Sequence, residues 1–370
     1  MFIIKKDVTM HYPITPGQSF LHMLGCSNVQ DTLDQSVDLQ LDDCTIRVEM
    51  DEPVLREKLL RYFKPFLIQN DDQPHIVIKA LENPPLKPGI SLTDLHPGCS
   101  KKRIKEQYIN IPGGRVVRKK LSGMLFFMNS SENIAIGPCT ENDNQIVNFI
   151  NNRFIQWKLD QGCLLCHAAA VSRKGQGIIQ AGFSGLGKST LALHLMNKGL
   201  DFVSNDRLMV RKKKEHVEMF GVAKLPRVNP GTILNNPRLT GILTSEEIKK
   251  FSGISKDMIW KMEHKYDVWL DKCFGRDRFK LQSGVKALVI LNWSRHGQSL
   301  EMQRVNLEKR SELLQAVIKS PGLFYYPSDN FRVLEPDPLD YMKFFQDIPV
   351  YELGGGIDFQ QASDRCAELI

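Results

Sequence analysis

Val37, Leu39 and Leu41, then Cys44, Ile46, Val48 and Met50, alternate with polar residues on either side of Asp42-Asp43. A period of two broken by a pair of turn formers predicts a β-hairpin. The following DEPVLREKLLRYFKPF sets Leu55, Leu59, Tyr62, Phe63 and Phe66 on one helical face, with Asp51 placed to cap and Pro53 in the first turn. HIVIKA reads as a strand. Residues 82–105 hold four prolines and two glycines and read as a long loop. YINI, RVVRKKL, GMLFFM and ENIAIG then form short strands parted by PGG and NSS turns. These elements predict a mixed α+β domain of unassigned role over residues 1–140, with no acid pair, metal spacing or glycine-rich loop.

ENDNQIVNFINNRFIQWKLDQG changes the period. Ile146, Val147, Phe149, Ile150, Phe154 and Trp157 recur near the helical repeat and Gly162 stops it, predicting a bridging helix into a second domain over residues 141–370. There GIIQA reads as a buried strand, and STLALHLMNKG as a helix with Leu191, Ala192, Leu195 and Met196 on one face and Gly199 as its stop. DFVSNDRLMV reads as one further strand, and Leu288–Leu291 with Trp293 as another. Strands alternating with helices point to an α/β fold.

A chain of 370 residues exceeds what one average core organises, which agrees with two domains. No run of 18 apolar residues occurs, and MFIIKKDVTMHYPITPG lacks a cleavage pattern, so the expectation is a soluble cytoplasmic protein with no membrane partner. The eight cysteines are scattered through a chain large enough to do without staples, which favours free thiols in a reducing compartment. The net charge is +7, with basic residues bunched at Lys101–Lys105, Arg115–Lys120 and Arg211–Lys214. No nucleic-acid motif or interleaved aromatic pattern accompanies these clusters, so solvated loops and strand ends are expected rather than a nucleic-acid partner.

Gly182 to Ser189, GFSGLGKS, fits G-x-x-x-x-G-K-[ST] in full, with a strand before it and a helix after it. Gly182, Gly185 and Gly187 let the backbone fold tightly enough to aim its N–H groups inward, while the new helix turns its positive end on the same anion. Lys188 is expected to reach the β- and γ-phosphates and the Ser189 hydroxyl to hold Mg²⁺, with Ser184 and Thr190 completing the nucleotide-binding set. Asp206, at the end of the next strand, opens on the same side and is a second candidate for the metal. In PRVNPGT, Arg227 and Asn229 suit gripping a phosphate or an acidic substrate, or shape a turn. Glu263, Lys265, Asp267 and Asp271 read as a charged edge strand, and Gly354–Gly356 as a lid or a turn.

Four stretches together resemble the HPr kinase superfamily, and within it the HprK-related kinase B group: HAAAVSRKGQGIIQAG, GFSGLGKSTLALHLMNKG, FVSNDRLMV and GVAKLPRVNPGTIL. The resemblance covers roughly residues 140–370. It implies a P-loop kinase core of the HPr kinase and phosphoenolpyruvate carboxykinase-like type, working with ATP and Mg²⁺, with His167 beside the transferred phosphate. It also implies two consecutive aspartates, general base first, where this chain has Asn205 and Asp206. Asparagine cannot accept a proton at neutral pH. Asp206 or His167 then takes the proton, or the loose transition state needs little base and Asn205 only orients the acceptor, or transfer is lost. The HPr kinase signature near the C-terminus is missing, which argues against HPr itself as substrate. The resemblance further implies a homo-oligomer, and proteins of a shared bacterial gene system that includes an ATP-grasp enzyme as partners.

CLLCH, Cys163 to His167, spells a c-type haem attachment motif. Attachment needs an export route and an accessible site, whereas CLLCHAAAV reads as an apolar strand. Zinc is disfavoured too, because Cys163, Cys166 and His167 supply three ligands, two of them adjacent, with no second pair nearby. The expectation is therefore a phosphotransferase without haem or zinc, moving the γ-phosphoryl of ATP to a hydroxyl of an unidentified protein or small molecule. His167, Lys188, Asn205 and Asp206 carry the chemistry. The rivals are a nucleotide sensor with reduced catalysis and a nucleic-acid-dependent ATPase.

Overall fold

The computed structural model describes residues 15–25, 33–69, 72–95, 104–214, 216–295, 298–327 and 335–370. The start of the chain, Cys26, Cys99 and residues 101–103 of the first basic cluster lie outside them. A short helix α1 (Pro16–Met23) precedes the predicted hairpin, β1 (Gln35–Leu41) and β2 (Cys44–Met50), whose register closes on Leu41 opposite Cys44. Asp42 takes a positive φ of 54° in the turn, a conformation aspartate tolerates better than most residues.

Helix α2 (Pro53–Tyr62) is capped by Glu52, whose side chain accepts from the Val54 N–H, and not by Asp51. The Asp51 carboxylate instead accepts from the Glu82 N–H at 2.9 Å, a partner 31 positions away that local pattern does not reveal. β3 (Ile76–Glu82), β4 (Thr93–Asp94), β5 (Glu106–Ile111), β6 (Gly114–Lys119), β7 (Leu125–Met128) and β8 (Asn133–Gly137) complete an eight-stranded sheet of order β1-β2-β3-β8-β7-β6-β5-β4. Its second basic cluster is tied into the protein. Arg115 is fully buried and donates to the Leu323 and Tyr325 carbonyls, while Lys119 and Lys120 pair with Glu106 and Asp94.

Helix α3 (Asp143–Asp160) is buried nearly all round. Phe149 and Phe154 pack into a core cluster that also holds hairpin residues such as Val48 and residues of the second sheet such as Met209, so one continuous apolar core runs beneath both sheets. Arg153 donates to the Phe324 carbonyl, and Lys158 Nζ reaches Asp42 and Asp43 at 2.5 and 2.7 Å.

The second sheet is mixed. β9 (Leu164–Cys166), β10 (Ala168–Arg173) and β11 (Gln176–Gly182) are followed by α4 (Lys188–Asn197), which ends just before Gly199. Leu191 and Leu195 of α4 are wholly buried, each worth about 1.5–3 kcal/mol, and anchor the helix on the sheet. DFVSNDRLMV is two strands rather than the one expected: β12 (Asp201–Ser204) pairs with β10, and β13 (Leu208–Lys213) with β9. Asn205-Asp206-Arg207 form the break, closed by the Ser204 hydroxyl donating to the Arg207 carbonyl.

After β14 (His216–Phe220) come β15 (Arg227–Val228), α5 (Pro230–Leu234), α6 (Ser245–Ser252), α7 (Lys256–Lys261), β16 (Tyr266–Asp267) and α8 (Leu270–Phe274). The predicted charged edge is thus reduced to the β15–β16 pair. β17 (Gln282–Leu291) lies parallel to β11, with Trp293 just past its end. β18 (Leu300–Arg304), α9 (Pro338–Phe345), β19 (Val350–Gly355) and α10 (Phe359–Ala367) finish the chain. Gly354-Gly355 end β19 rather than forming a lid, because the close approach of the Ser299 carbonyl leaves no room for a side chain at Gly355. No described helix is long and apolar enough to cross a membrane.

Candidate functional site

β11 runs into the glycine loop and α4 runs out of it. Gly185 and Gly187 take φ of 87° and 91°, left-handed conformations that disfavour any side chain. At Gly187 a Cβ would also stand 2.5 Å from the Phe359 ring. Trp293 Nε1 donates to the Leu186 carbonyl at 2.9 Å and fixes the outer turn of the loop. The first amides of α4 have no acceptor within the helix and sit at its positive end, a combination that favours an anion.

Lys188, the first residue of α4, is 7% exposed. Its Nζ donates to the Gly182 carbonyl at 2.7 Å and to the Phe183 carbonyl at 3.4 Å. Burial brings its pKa down to about 8, with the Asp206 charge opposing the shift. A cation held this way, by neutral carbonyls inside a dry loop, gains from any anion that arrives.

β12 is antiparallel to β10, which is antiparallel to β11, so the end of β12 opens on the same side as the loop. There Asp206 Oδ1 meets His167 Nε2 at 3.1 Å and Oδ2 meets Lys319 Nζ at 3.2 Å. Desolvation alone would raise the Asp206 carboxyl, but the His167 hydrogen bond and the charges of Lys319, His167 and Arg207 outweigh it and hold it far below the usual carboxylate range. His167 is fixed between β9 and β10 by its N–H donating to the Val317 carbonyl at 2.6 Å. Beside it Cys163 and Cys166 are buried, and desolvation pushes the Cys163 thiol up to about 11. Among the described residues no group of three His, Cys, Asp or Glu side chains could hold a metal by itself.

A cleft of about 1090 Å³ is lined by His167, Ser184, Gly185, Gly187, Lys188, Ser189, Thr190, Asn205, Asp206, Arg227 and Asn229. Gly182 is outside this lining and contributes the carbonyl that receives Lys188. The Thr190 hydroxyl is engaged by Thr232 at 2.8 Å. Arg227 Nε pairs with Asp267 at 3.1 Å across β15 and β16, so its charge is already partnered. Asn205 and Asn229 each present a buried Oδ1 without a hydrogen-bond partner. Another wall is aromatic: Phe359 stacks on His194 at 5.7 Å and faces Trp260 at 6.5 Å, with Arg295 4.3 Å over Trp260.

Sequence reasoning missed Lys319, which reaches Asp206 from over a hundred positions away and has no local signal. It also missed Arg207, Lys224 and the asparagines of α3. Asn148, Asn151 and Asn152 stand at i, i+3 and i+4, a polar stripe on a buried helix that was there to be read.

No protein-family model matches the chain. The HPr kinase/phosphorylase of Chlorobium phaeovibrioides is 23% identical over 128 residues, which are 33% of this chain and 37% of that protein, so the chain spans little more than a third of this curated relative. Among solved structures, the Hpr(Ser) kinase/phosphatase from Coxiella burnetii is 16% identical with a TM-score of 0.26, covering 55% of this chain and 92% of that one. The curated match makes the chain similar to HPr kinase/phosphorylases, as the four motifs imply.

Proposed function

We propose that the chain is an ATP-dependent phosphotransferase that moves the γ-phosphoryl group to a hydroxyl of a small molecule or protein. The observation that carries this reading is one cleft shared by the glycine loop with its buried Lys188 and by the His167–Asp206 pair. On binding, Lys188 leaves the Gly182 and Phe183 carbonyls for the β- and γ-phosphates, and the loop and first-turn amides take the remaining oxygens. The flat faces of Phe359 and Trp260 suit the purine. Ser189 and Asp206 are hard oxygen donors that fit Mg²⁺; they would hold it there, and it would supply neutralisation of phosphate charge.

Asn205 Oδ1 accepts the hydrogen bond of the incoming hydroxyl and orients it. The acceptor oxygen then forms its bond to the γ-phosphorus while the bridging bond to the β-phosphate breaks, its electron pair leaving with ADP. Asp206 is too weak a base to remove the proton early. It takes it as the new O–P bond makes the hydroxyl acidic, and His167 relays it outward.

The test is transfer of labelled γ-phosphate from ATP to a fractionated extract by wild type, Lys188→Ala and Asn205→Asp. A labelled product that requires Lys188 is expected. ATP binding with no label from wild type, and label only from Asn205→Asp, would replace this reading with a nucleotide sensor.

A further inference from the structure

The asparagine stripe of α3 holds two cations in place. Asn148 Oδ1 accepts from Lys224 Nζ at 2.6 Å, and Asn152 Oδ1 accepts from Arg207 Nη1 at 2.5 Å. The nearest carboxylate contact of Arg207 is Asp206 at 4.0 Å. A neutral amide positions a cation without cancelling its charge, whereas a carboxylate in the same place would do both. Lys224 and Arg207 are therefore tethered and still attractive to an anion. Burial weakens the protonated form of both, which an incoming anion would reverse.

Between them on the stripe, Asn151 is 2% exposed. Its amide orientation is set by two carbonyls, since Nδ2 donates to Val147 at 2.9 Å and to Ala223 at 3.1 Å. Its Oδ1 is left buried with no donor, and so is Oδ1 of Asn205. Buried acceptors of this kind are expensive to leave unmet, and all four residues line the cleft. Here the site offers charge to an anion and oxygens to hydroxyl donors.

We propose that this wall of the cleft is the acceptor subsite, and that the acceptor is a small polyhydroxylated anion, a sugar acid or a sugar phosphate. Its anionic group lies against Lys224 and Arg207, and its hydroxyls donate to Asn151 and Asn205. A peptide serine would bring one hydroxyl and nothing for the two cations. As an acceptor assignment the inference rests on the kinase reading, but the binding it predicts does not.

The experiment is calorimetric titration of the full chain with D-gluconate and with glucose 6-phosphate, which separate carboxylate from phosphate recognition, and with neutral glucose. At least one of the anions is expected to bind ten-fold or more tightly than glucose. Lys224→Met and Asn151→Leu should each weaken it at least ten-fold and leave ATP affinity within two-fold, while Lys224→Arg restores most of the binding. Lys188→Ala should weaken ATP and spare gluconate. Binding of neither anion, glucose bound as tightly, or affinity unmoved by Lys224→Met overturns the proposal. Failure of wild type to bind ATP beside intact Lys224-dependent anion binding would remove the kinase reading alone.

Discussion

Lys188 makes the cleft sensitive to pH in two opposed ways. Its pKa of about 8 in the loop, against an ordinary 10.5, means that burial disfavours its charge by about 3 kcal/mol. In the unfolded chain the group keeps its ordinary pKa, so from pH 8 to 10.5 the unfolded state binds more protons. The destabilisation is complete below pH 8 and fades as pH rises toward 10.5. ATP reverses the sign. Phosphates paired with Lys188 restore its ordinary pKa, so the complex binds more protons than the free protein and affinity falls as pH climbs past 8. Between pH 7.5 and 9.5, where the phosphates no longer titrate, the loss should reach about 20- to 30-fold, near 2 kcal/mol. At pH 8 the binding should take up about half a proton. Titration calorimetry in buffers of differing ionisation enthalpy measures both quantities, with Lys188→Ala as the reference lacking the group. The account is refuted by an affinity that stays flat across this interval, or by the same slope in Lys188→Ala.

Gly187→Ala places a Cβ against Phe359 at a φ of 91°, and should cost about 1–2 kcal/mol of stability and at least ten-fold in ATP affinity. Combining it with Phe359→Ala should relieve the clash but not the backbone strain, which thermal unfolding of the single and double variants would separate. Lys158→Met removes a fully buried ammonium that bridges Asp42 and Asp43 and lies 3.9 Å over the Phe220 ring. Because both carboxylates keep contact with water, the expected loss is about 2 kcal/mol rather than the full cost of an orphaned buried charge, read as a lower urea midpoint with an unchanged slope.

The parts of the site that sequence made legible are those encoded by neighbours. GFSGLGKS is informative because backbone conformation, helix start and lysine all fall within eight residues. The β1–β2 hairpin and the stop of α4 at Gly199 are equally local. Reading failed where a distant partner decides. Asp51 is a good cap by type, yet the Glu82 N–H claims it. DFVSNDRLMV looks like one strand because apolar residues flank its polar centre, and only the separate pairing partners of β12 and β13 split it. The α3 asparagines drew no reading of their own, because what they hold, Arg207 and Lys224, comes from turns more than fifty positions further along the chain.

Helix α3 also determines how this protein can be taken apart. Asn148, Asn151 and Asn152 hold the cleft while Phe149, Arg153, Phe154 and Lys158 grip the first sheet, the hairpin turn and the segment near Phe324. A fragment begun at residue 141 would keep every motif and lose the packing that sets this helix in register, exposing an apolar flank prone to self-association. The workable unit for crystallisation or for transplanting the site into another scaffold therefore includes the first sheet, however silent that sheet is chemically.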